Sequence, residues 1–296
     1  MNDRVLLVVN PCSGRGRANQ ILFDIINKLS ENGKFVTVYP TRQKEATLSY
    51  IEKNACNFDI LAVCGGDGTL NEAFNGLLRS GVRIPVGYIP TGSTNDFAAS
   101  LGLPTDPVEA ADVIANGTPF AYDVGVMNDT FFTYIACAGA FTEISYTTNQ
   151  NLKNKIGQSA YFLNSIKSLA SLRKTALEIT TPEFSISGDY IFASFSNTRN
   201  AGVVLNFSSS NVSFDDGMFE LLLIRMPRDL IDLSTLIKDL LNSNFDNRNV
   251  EFYKTDECRI KSERPIRWSV DGEDGGVTDE IKLNVNRQAI DIIRRT

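Results

Sequence analysis

The sequence predicts a two-domain chain: an α/β N-terminal domain with a mostly parallel sheet, then an all-β C-terminal domain built as an antiparallel sandwich. Three observations carry this. Up to residue 122, short continuous apolar runs alternate with runs of helical periodicity, the pattern of strands buried on both faces by helices. From Asp123 onward, short runs rich in Phe, Tyr, Val, Ile and Thr follow one another with turn residues between them. The 296 residues, 43% hydrophobic and 22% charged, suffice for two ordinary cores and include no long polar tail.

The elements follow in order. Residues 4–9, RVLLVV, are a strand ending at NPCSGRGR, and residues 18–29 place Ile21, Ile25, Ile26 and Leu29 at helical spacing. The unit recurs as KFVTVYP with a helix over 42–53, DILAVC with 69–79, and PVGYIP with 94–101. In parallel sheets ligands collect at the carboxyl ends of strands. The loops beginning at Asn10, Gly65 and Pro90 all follow strands, so they are predicted to share one sheet edge and form one site.

The domain boundary is placed in TPFAYD, residues 118–123, giving domains of 1–122 and 123–287, with segment 288–296 free to return to the first. The second domain reads as strands DVGVMN, FFTYIACA, YIFASFSN, MFELLLIRM, VEFYKT, ECRIKS, IRWSVDG and IKLNV, interrupted by helical segments at 155–174 and 229–241.

Composition excludes several chemistries. There is no histidine, which removes Ser-His-Asp triads, imidazole acid–base catalysis and His zinc sites. The five cysteines are scattered without a C-x-x-C pair, so neither a disulfide framework nor a zinc site is suggested. A net charge of −6 argues against nucleic acid as the main partner, because phosphate-backbone binding is driven by Lys and Arg. No transmembrane-length apolar run or signal-peptide pattern is seen, which predicts a cytoplasmic protein.

Three motifs carry chemistry. In NPCSGRGRA, the backbone N–H groups of Ser13, Gly14 and Gly16 can face an anion at a helix N-terminus, with Arg15 and Arg17 adding charge. Such a loop is also common punctuation between strand and helix. GGDGTLNE is neither a Walker A loop nor G-x-G-x-x-G, since Asn71 stands at the last Gly position. Its glycines permit close approach to a ligand and positive φ, and Asp67 could hold a Mg²⁺ that offsets phosphate repulsion; a helix N-cap at Asp67 or Thr69 is the plainer use. IPTGSTNDF supplies Thr91, Ser93, Thr94, Asn95 and Asp96 after the fourth strand, and a capped helix start at Thr94 or Asn95 is compatible with binding.

These three motifs, in this order and spacing, resemble the catalytic domain of diacylglycerol kinases, and the later DDGMFELLLI and VDGE resemble the bacterial soluble branch. Ser93 stands where Thr is commoner. The resemblance covers almost the whole chain. It implies an ATP-binding α/β domain and a β-sandwich with the active site between them. It further implies ATP contacts at Asn10, Pro11, Cys12, Ser13, Gly14, Thr41, Gly65, Gly66, Asp67, Gly68, Thr69, Leu70, Asn71 and Thr94. By the same resemblance Asp67 and Asp96 organise catalytic Mg²⁺ through water, Glu273 is the general base, and a structural Mg²⁺ is held by Ser213, Asp216 and Met218. A hairpin turn accounts for FDDGMF equally well.

The implied function is an ATP- and Mg²⁺-dependent lipid kinase that phosphorylates the hydroxyl of diacylglycerol or a related lipid. The alternatives are a soluble-acceptor kinase of the NAD kinase type, which shares the GGDGT loop, and a nucleotide-binding regulator without catalysis. Between Ile144 and Ala176 the chain has Lys153, Lys155, Lys167, Arg173 and Lys174, no acidic residue, and the apolar Ile156, Tyr161, Phe162, Leu163, Ile166 and Leu169. That segment suits transient peripheral membrane docking, or an ordinary helix covering the sandwich. A homodimer is compatible with this reading.

Overall fold

The computed structural model describes residues 3–140, 172–201, 205–206, 212–242 and 244–295. The first stretch contains β1 (Arg4–Val9), α1 (Arg17–Glu31), β2 (Phe35–Pro40), α2 (Lys44–Asn54), β3 (Ile60–Gly65), α3 (Asp67–Ser80) and β4 (Val86–Pro90). After these come α4 (Asp96–Leu101), α5 (Pro107–Asn116), β5 (Thr118–Met127), β6 (Thr130–Phe132) and β7 (Ile135–Gly139). The rest of the chain supplies β8 (Thr175–Thr180), β9 (Ser185–Ser196), β10 (Asn200–Ala201), β11 (Leu205–Asn206) and β12 (Phe219–Arg225). It ends with α6 (Leu230–Leu241), β13 (Val250–Thr255), β14 (Glu257–Val270) and β15 (Glu273–Arg294). The chain divides into two compact units, Met1–Val124 with Thr130–Thr133 and Asn286–Thr296, and Gly125–Asp129 with Tyr134–Val285.

In the first unit β4, β3, β1 and β2 lie side by side in that order, each neighbouring pair parallel. Strands β1, β3 and β4 are apolar on both faces because both faces are covered: Val5, Leu6, Leu7, Val8, Leu61, Ala62 and Ile89 are all inaccessible. β2 is the exposed edge, with Phe35 70% exposed. One face of the sheet packs on Ile25 and Leu29 of α1 and on Ala110, Ala111, Val113 and Ile114 of α5. Helix α5 was not among the predicted elements. Its start signal is Asp106, whose carboxylate accepts the N–H groups of Val108 and Glu109, followed by Pro107 at the first helical position. At the other edge the end of β15 returns beside β4, pairing Ile292 with Val86.

The register sets the site. Val9 is level with Cys64, Gly65 with Pro90, and Val9 with Pro40, so the chain leaves β1, β3, β4 and β2 at one edge. Residues Asn10, Gly66, Thr91 and Thr41 therefore emerge together.

The second unit is β-rich. Strand β9 pairs antiparallel with β7 through Phe192–Ser196 and with β8 through Ser185–Tyr190; β14 does the same, meeting β8 at Arg259–Ser262 and β7 at Trp268–Val270. β7 and β8 thus lie end to end between β9 and β14, and β12 and β13 add on β9's other side. The stretches predicted as separate strands, ECRIKS and IRWSVDG, belong to the single strand β14. Its register shifts between Lys261 and Ile266, where Pro265 cannot donate to the ladder. Strand β15 begins at Glu273, directly after the turn that follows β14. TPFAYD, predicted as a boundary, is the first part of β5.

The hairpin joining β14 to β15 turns at Asp271 and Gly272, with φ of 49° and 81°. Two consecutive positive φ values between paired strands are what an Asp-Gly two-residue loop provides. The predicted helix over 229–241 is present as α6, started by Asp229, whose carboxylate accepts the Asp232 N–H. Most of the other predicted helix, and with it Lys153, Lys155, Lys167 and the apolar residues from Ile156 to Leu169, lies outside the described residues. Lys174 precedes β8 and pairs with Asp189 at 2.6 Å. Among the described residues no helix is long and apolar enough to cross a membrane.

Candidate active site

Asn10 ties the first loop to the second. Its side-chain amide donates to Thr69 Oγ1 (3.1 Å), its Oδ1 accepts the Cys12 N–H (3.0 Å), and its own N–H donates to the Cys64 carbonyl (2.9 Å). Pro11 and Cys12 follow at the surface, and the chain then makes a 3₁₀ turn over Ser13–Gly16, with Gly14 at φ 59°. Ser13 is nearly buried, and its hydroxyl accepts from Thr91 Oγ1 at 3.0 Å, which joins the first loop to the third. Thr41 sits at the same edge, its N–H donating to the Val9 carbonyl.

The glycines of GGDG do not supply the positive φ that was predicted for them. None of Gly65, Gly66 and Gly68 has positive φ. A Cβ on Gly65 would lie 2.6 Å from Thr69 Cβ, and one on Gly92 would lie 2.6 Å from the Gly66 Cα. The second and third loops thus touch backbone to backbone, and the absent side chains are what let them close.

Asp67 occupies the junction so formed. It is the first residue of α3, with Gly66 as the cap, so neither it nor Thr69 is that helix's N-cap. Its carboxylate instead reaches the start of α4: Oδ2 accepts the Asp96 N–H at 3.0 Å and Oδ1 the Phe97 N–H at 3.4 Å. Asn95, the residue before α4, stands at φ 53° and makes no cap bond to its own helix; it is occupied bridging Gly92, accepting from its N–H and donating to its carbonyl. Asp67 caps α4 in its place. Carboxylate charge at two helix N-termini is favourable on both.

Tyr88 stands behind this junction. Its hydroxyl lies 3.3 Å from the Gly65 carbonyl, 3.5 Å from Asp67 Oδ1 and 3.4 Å from Asn95 Oδ1. Burial first, and then the Asp67 charge, push the phenol well above its ordinary range, so it stays a donor. Phe97 packs edge-on against Tyr88, Phe74 and Tyr122 beneath the site. Tyr88 and Phe97 were not among the predicted site residues. The signal for Tyr88 was a lone phenol in the otherwise aliphatic strand PVGYIP.

The register brings together Asn10, Ser13, Gly14, Thr41, Gly65, Gly66, Asp67, Thr69, Thr91 and Asp96, while Thr94 is exposed on the third loop. Leu70 is fully buried and Asn71 donates to the Phe131 carbonyl, so Leu70 presents no side chain at this edge and Asn71 is engaged elsewhere in the unit. The side chains of Arg15 and Arg17 lie outside the described residues.

In the second unit, Glu273 is exposed and directly follows the Asp271–Gly272 turn. Asp271 is buried, and its Oδ1 accepts the N–H groups of Tyr134 (2.9 Å) and Ile135 (3.1 Å), which fastens the turn to β7. The Ser213–Met218 turn precedes β12. Asp216 Oδ1 accepts the Met218 N–H (3.0 Å), its Oδ2 lies 3.4 Å from Lys254 Nζ, and Gly217 has φ 78°. Four residues on from Asp216, Glu220 is completely buried; burial pushes its carboxyl up to about 8 against the pull of Lys254. Neither carboxylate oxygen of Glu220 has a hydrogen-bond partner.

Among the described residues no three Cys, Asp or Glu side chains converge as a ready metal cage. The donor sets nevertheless fit a hard cation that keeps most of its water. Asp67 brings carboxylate oxygens to the junction of the loops, and the Asp216 turn brings another, the hard oxygen donors such a cation takes.

Three comparisons bear on this arrangement. Residues 4–127 match the family model described as the diacylglycerol kinase catalytic domain. A diacylglycerol kinase of Bacillus subtilis is 30% identical over 288 residues, 96% of this chain and 94% of that one. One from Staphylococcus aureus strain MRSA252 is 30% identical over 290 residues, covering 97% of this chain and 91% of that one. A crystal structure of a candidate diacylglycerol kinase from Bacillus anthracis superposes with a TM-score of 0.83 at 25% identity, over 99% of this chain and 95% of that one. The chain belongs to the diacylglycerol kinase family and is a lipid kinase.

Proposed function

We propose that this lipid kinase transfers the γ-phosphoryl group of ATP to the hydroxyl of diacylglycerol or a closely related lipid, with Glu273 as general base. The observation that carries the reading is the junction at Asp67. Three loops of one parallel edge are hydrogen-bonded into a single surface, and a carboxylate stands where they meet. A surface built for phosphate alone would exclude that charge. One built for phosphate with Mg²⁺ requires it.

In this reading the loops from Asn10 to Gly14 and from Gly65 to Thr69, with Thr41 and Thr94, hold ATP. Asp67 and Asp96 would hold a catalytic Mg²⁺ through water, and Ser213, Asp216 and Met218 would hold a structural one. The ions would supply charge neutralisation on the phosphates and rigidity to the turn. The acceptor hydroxyl gives its proton to the Glu273 carboxylate as its oxygen bonds to the γ-phosphorus, and the bond from that phosphorus to the β-bridging oxygen breaks, releasing ADP. The transition state is loose, so the protein's contribution is mainly position and charge. Tyr88 donates into the Gly65, Asp67 and Asn95 cluster and fixes the carboxylate. The acceptor resides in a membrane, so turnover involves transient contact with a lipid surface.

The test offers γ-labelled ATP with Mg²⁺ to the protein in the presence of a lipid extract, of NAD, or of no acceptor. Label in an organic-phase product alone is expected. Label in NAD, or none anywhere while ATP still binds, would overturn the reading.

A further inference from the structure

Strand β12 reads Phe-Glu-Leu-Leu-Leu-Ile-Arg, and every side chain before Arg225 is buried. Glu220 is the one acid within it. A carboxylate placed there loses its hydration, and neither of its oxygens recovers a hydrogen bond. Its cross-strand neighbours are Ser196 on β9 and Lys254 on β13, and the Ser196 hydroxyl is also buried without a partner. Among the described residues the cation beside it is the Lys254 ammonium, 3.5 Å from Glu220 Oε1 and 3.4 Å from Asp216 Oδ2. Lys254 therefore stands between two acids, one of which belongs to the turn assigned above to a structural Mg²⁺. Asp216 acts on Glu220 as a repelling charge, so the two acids share an electrostatic environment.

We infer that Glu220 is a further cation-holding group of the Ser213–Met218 turn, acting directly or through one water, and that Lys254 is the competing resident cation. This rests on the proposal of a divalent ion at that turn. An ammonium shared by two acids leaves Glu220 short of hydrogen-bonded partners. A hydrated divalent ion could supply the water that the Glu220 oxygens and Ser196 lack, and its charge would hold Glu220 as a carboxylate. Had Glu220 served only as a salt-bridge partner, a leucine like its three successors would pack the same position without the burial cost.

The test is Mn²⁺ binding to the full-length protein, followed by electron paramagnetic resonance and by calorimetry, with no nucleotide present. Wild type is compared with Glu220→Gln, Lys254→Met and Asp216→Asn, each checked by its melting curve for a native fold. Glu220→Gln is expected to weaken the Asp216-dependent site by tenfold or more, whereas Lys254→Met tightens it. Opposite signs are the signature of a carboxylate that holds the ion and an ammonium that competes with it. Unchanged affinity in Glu220→Gln, with Asp216→Asn still deficient, would overturn this inference while leaving the ion at the turn. Binding that Asp216→Asn does not alter would overturn both. If Glu220→Gln does not fold, Lys254→Met decides alone, and affinity that is unchanged or weakened overturns the competition.

Discussion

Asp67 has two separable tasks, and two substitutions separate them. Asp67→Ala removes the acceptor for two N–H groups at the start of α4, those of Asp96 and Phe97. Loss of a cap costs about 1 kcal/mol, up to ~2, and the charge beside a helix start adds roughly 0.3–1 kcal/mol. The expected sum is about 1–3 kcal/mol, which lowers the melting temperature of a unit this size by roughly 2–10 °C. Asp67→Asn keeps one oxygen for the shorter contact, to the Asp96 N–H, and gives up the longer one to Phe97, so its cost should be about 1 kcal/mol. Against a typical stability of about 5–15 kcal/mol both variants stay folded at 25 °C. Yet the charge is gone in both, and a lost electrostatic stabiliser of a transition state costs roughly 10²–10³ in kcat. The assay is steady-state lipid phosphorylation beside a thermal melt. Wild-type kcat/KM in Asp67→Asn would show that the carboxylate is only a cap and would refute the reasoning.

Three further outcomes follow from contacts of the same kind. Gly92→Ala forces a Cβ to 2.6 Å from the Gly66 Cα, so the second and third loops separate; nucleotide affinity should fall at least tenfold by calorimetry, while Gly102→Ala, which meets open space and whose φ of 66° strains only the end of α4, lowers the melting temperature and leaves that affinity at the wild-type level. Tyr88→Phe keeps the packing on Phe97 and removes only the hydroxyl, so kcat should fall severalfold, and an unchanged kcat would remove Tyr88 from the positioning role. Thiol labelling at pH 8 should modify Cys12 and Cys56 quickly, whereas Cys64, pushed by burial up to about 11, and Cys137 and Cys258, both pushed up to about 12, react only after denaturation. Fast reaction of all five in the native protein would contradict the described packing.

The loops of the site were legible because their signals are local. Continuous apolar runs such as RVLLVV end abruptly at Gly, Asn or Pro, and parallel pairing then carries four such ends to one edge. What the glycines do was not legible, since Gly65, Gly66 and Gly92 answer to Thr69 and to each other across turns distant in sequence. The same holds for Asp67: a carboxylate at a helix start reads as that helix's cap, and only the tertiary fold shows it capping the next helix instead. Pro265 reads as a strand breaker, and the bulge that accommodates it depends on partners far along the chain. Helix α5 was legible after the fact in its Asp-Pro start. Glu220 had no reading of its own, because one acid in MFELLLI reads as the exposed side of a strand, whereas β12 is covered on both faces.

The central claim is that this lipid kinase uses Glu273 to accept the proton of a lipid hydroxyl attacked onto ATP. Single-turnover transfer from γ-labelled ATP to dioleoylglycerol in mixed micelles, run with wild type and Glu273→Gln beside calorimetric ATP binding, tests it most directly. The account predicts organic-phase label from wild type, a fall of roughly 10²–10⁴-fold in the transfer rate of Glu273→Gln, the range general base catalysis supplies, and equal ATP affinity in both. Transfer by Glu273→Gln at the wild-type rate would contradict it.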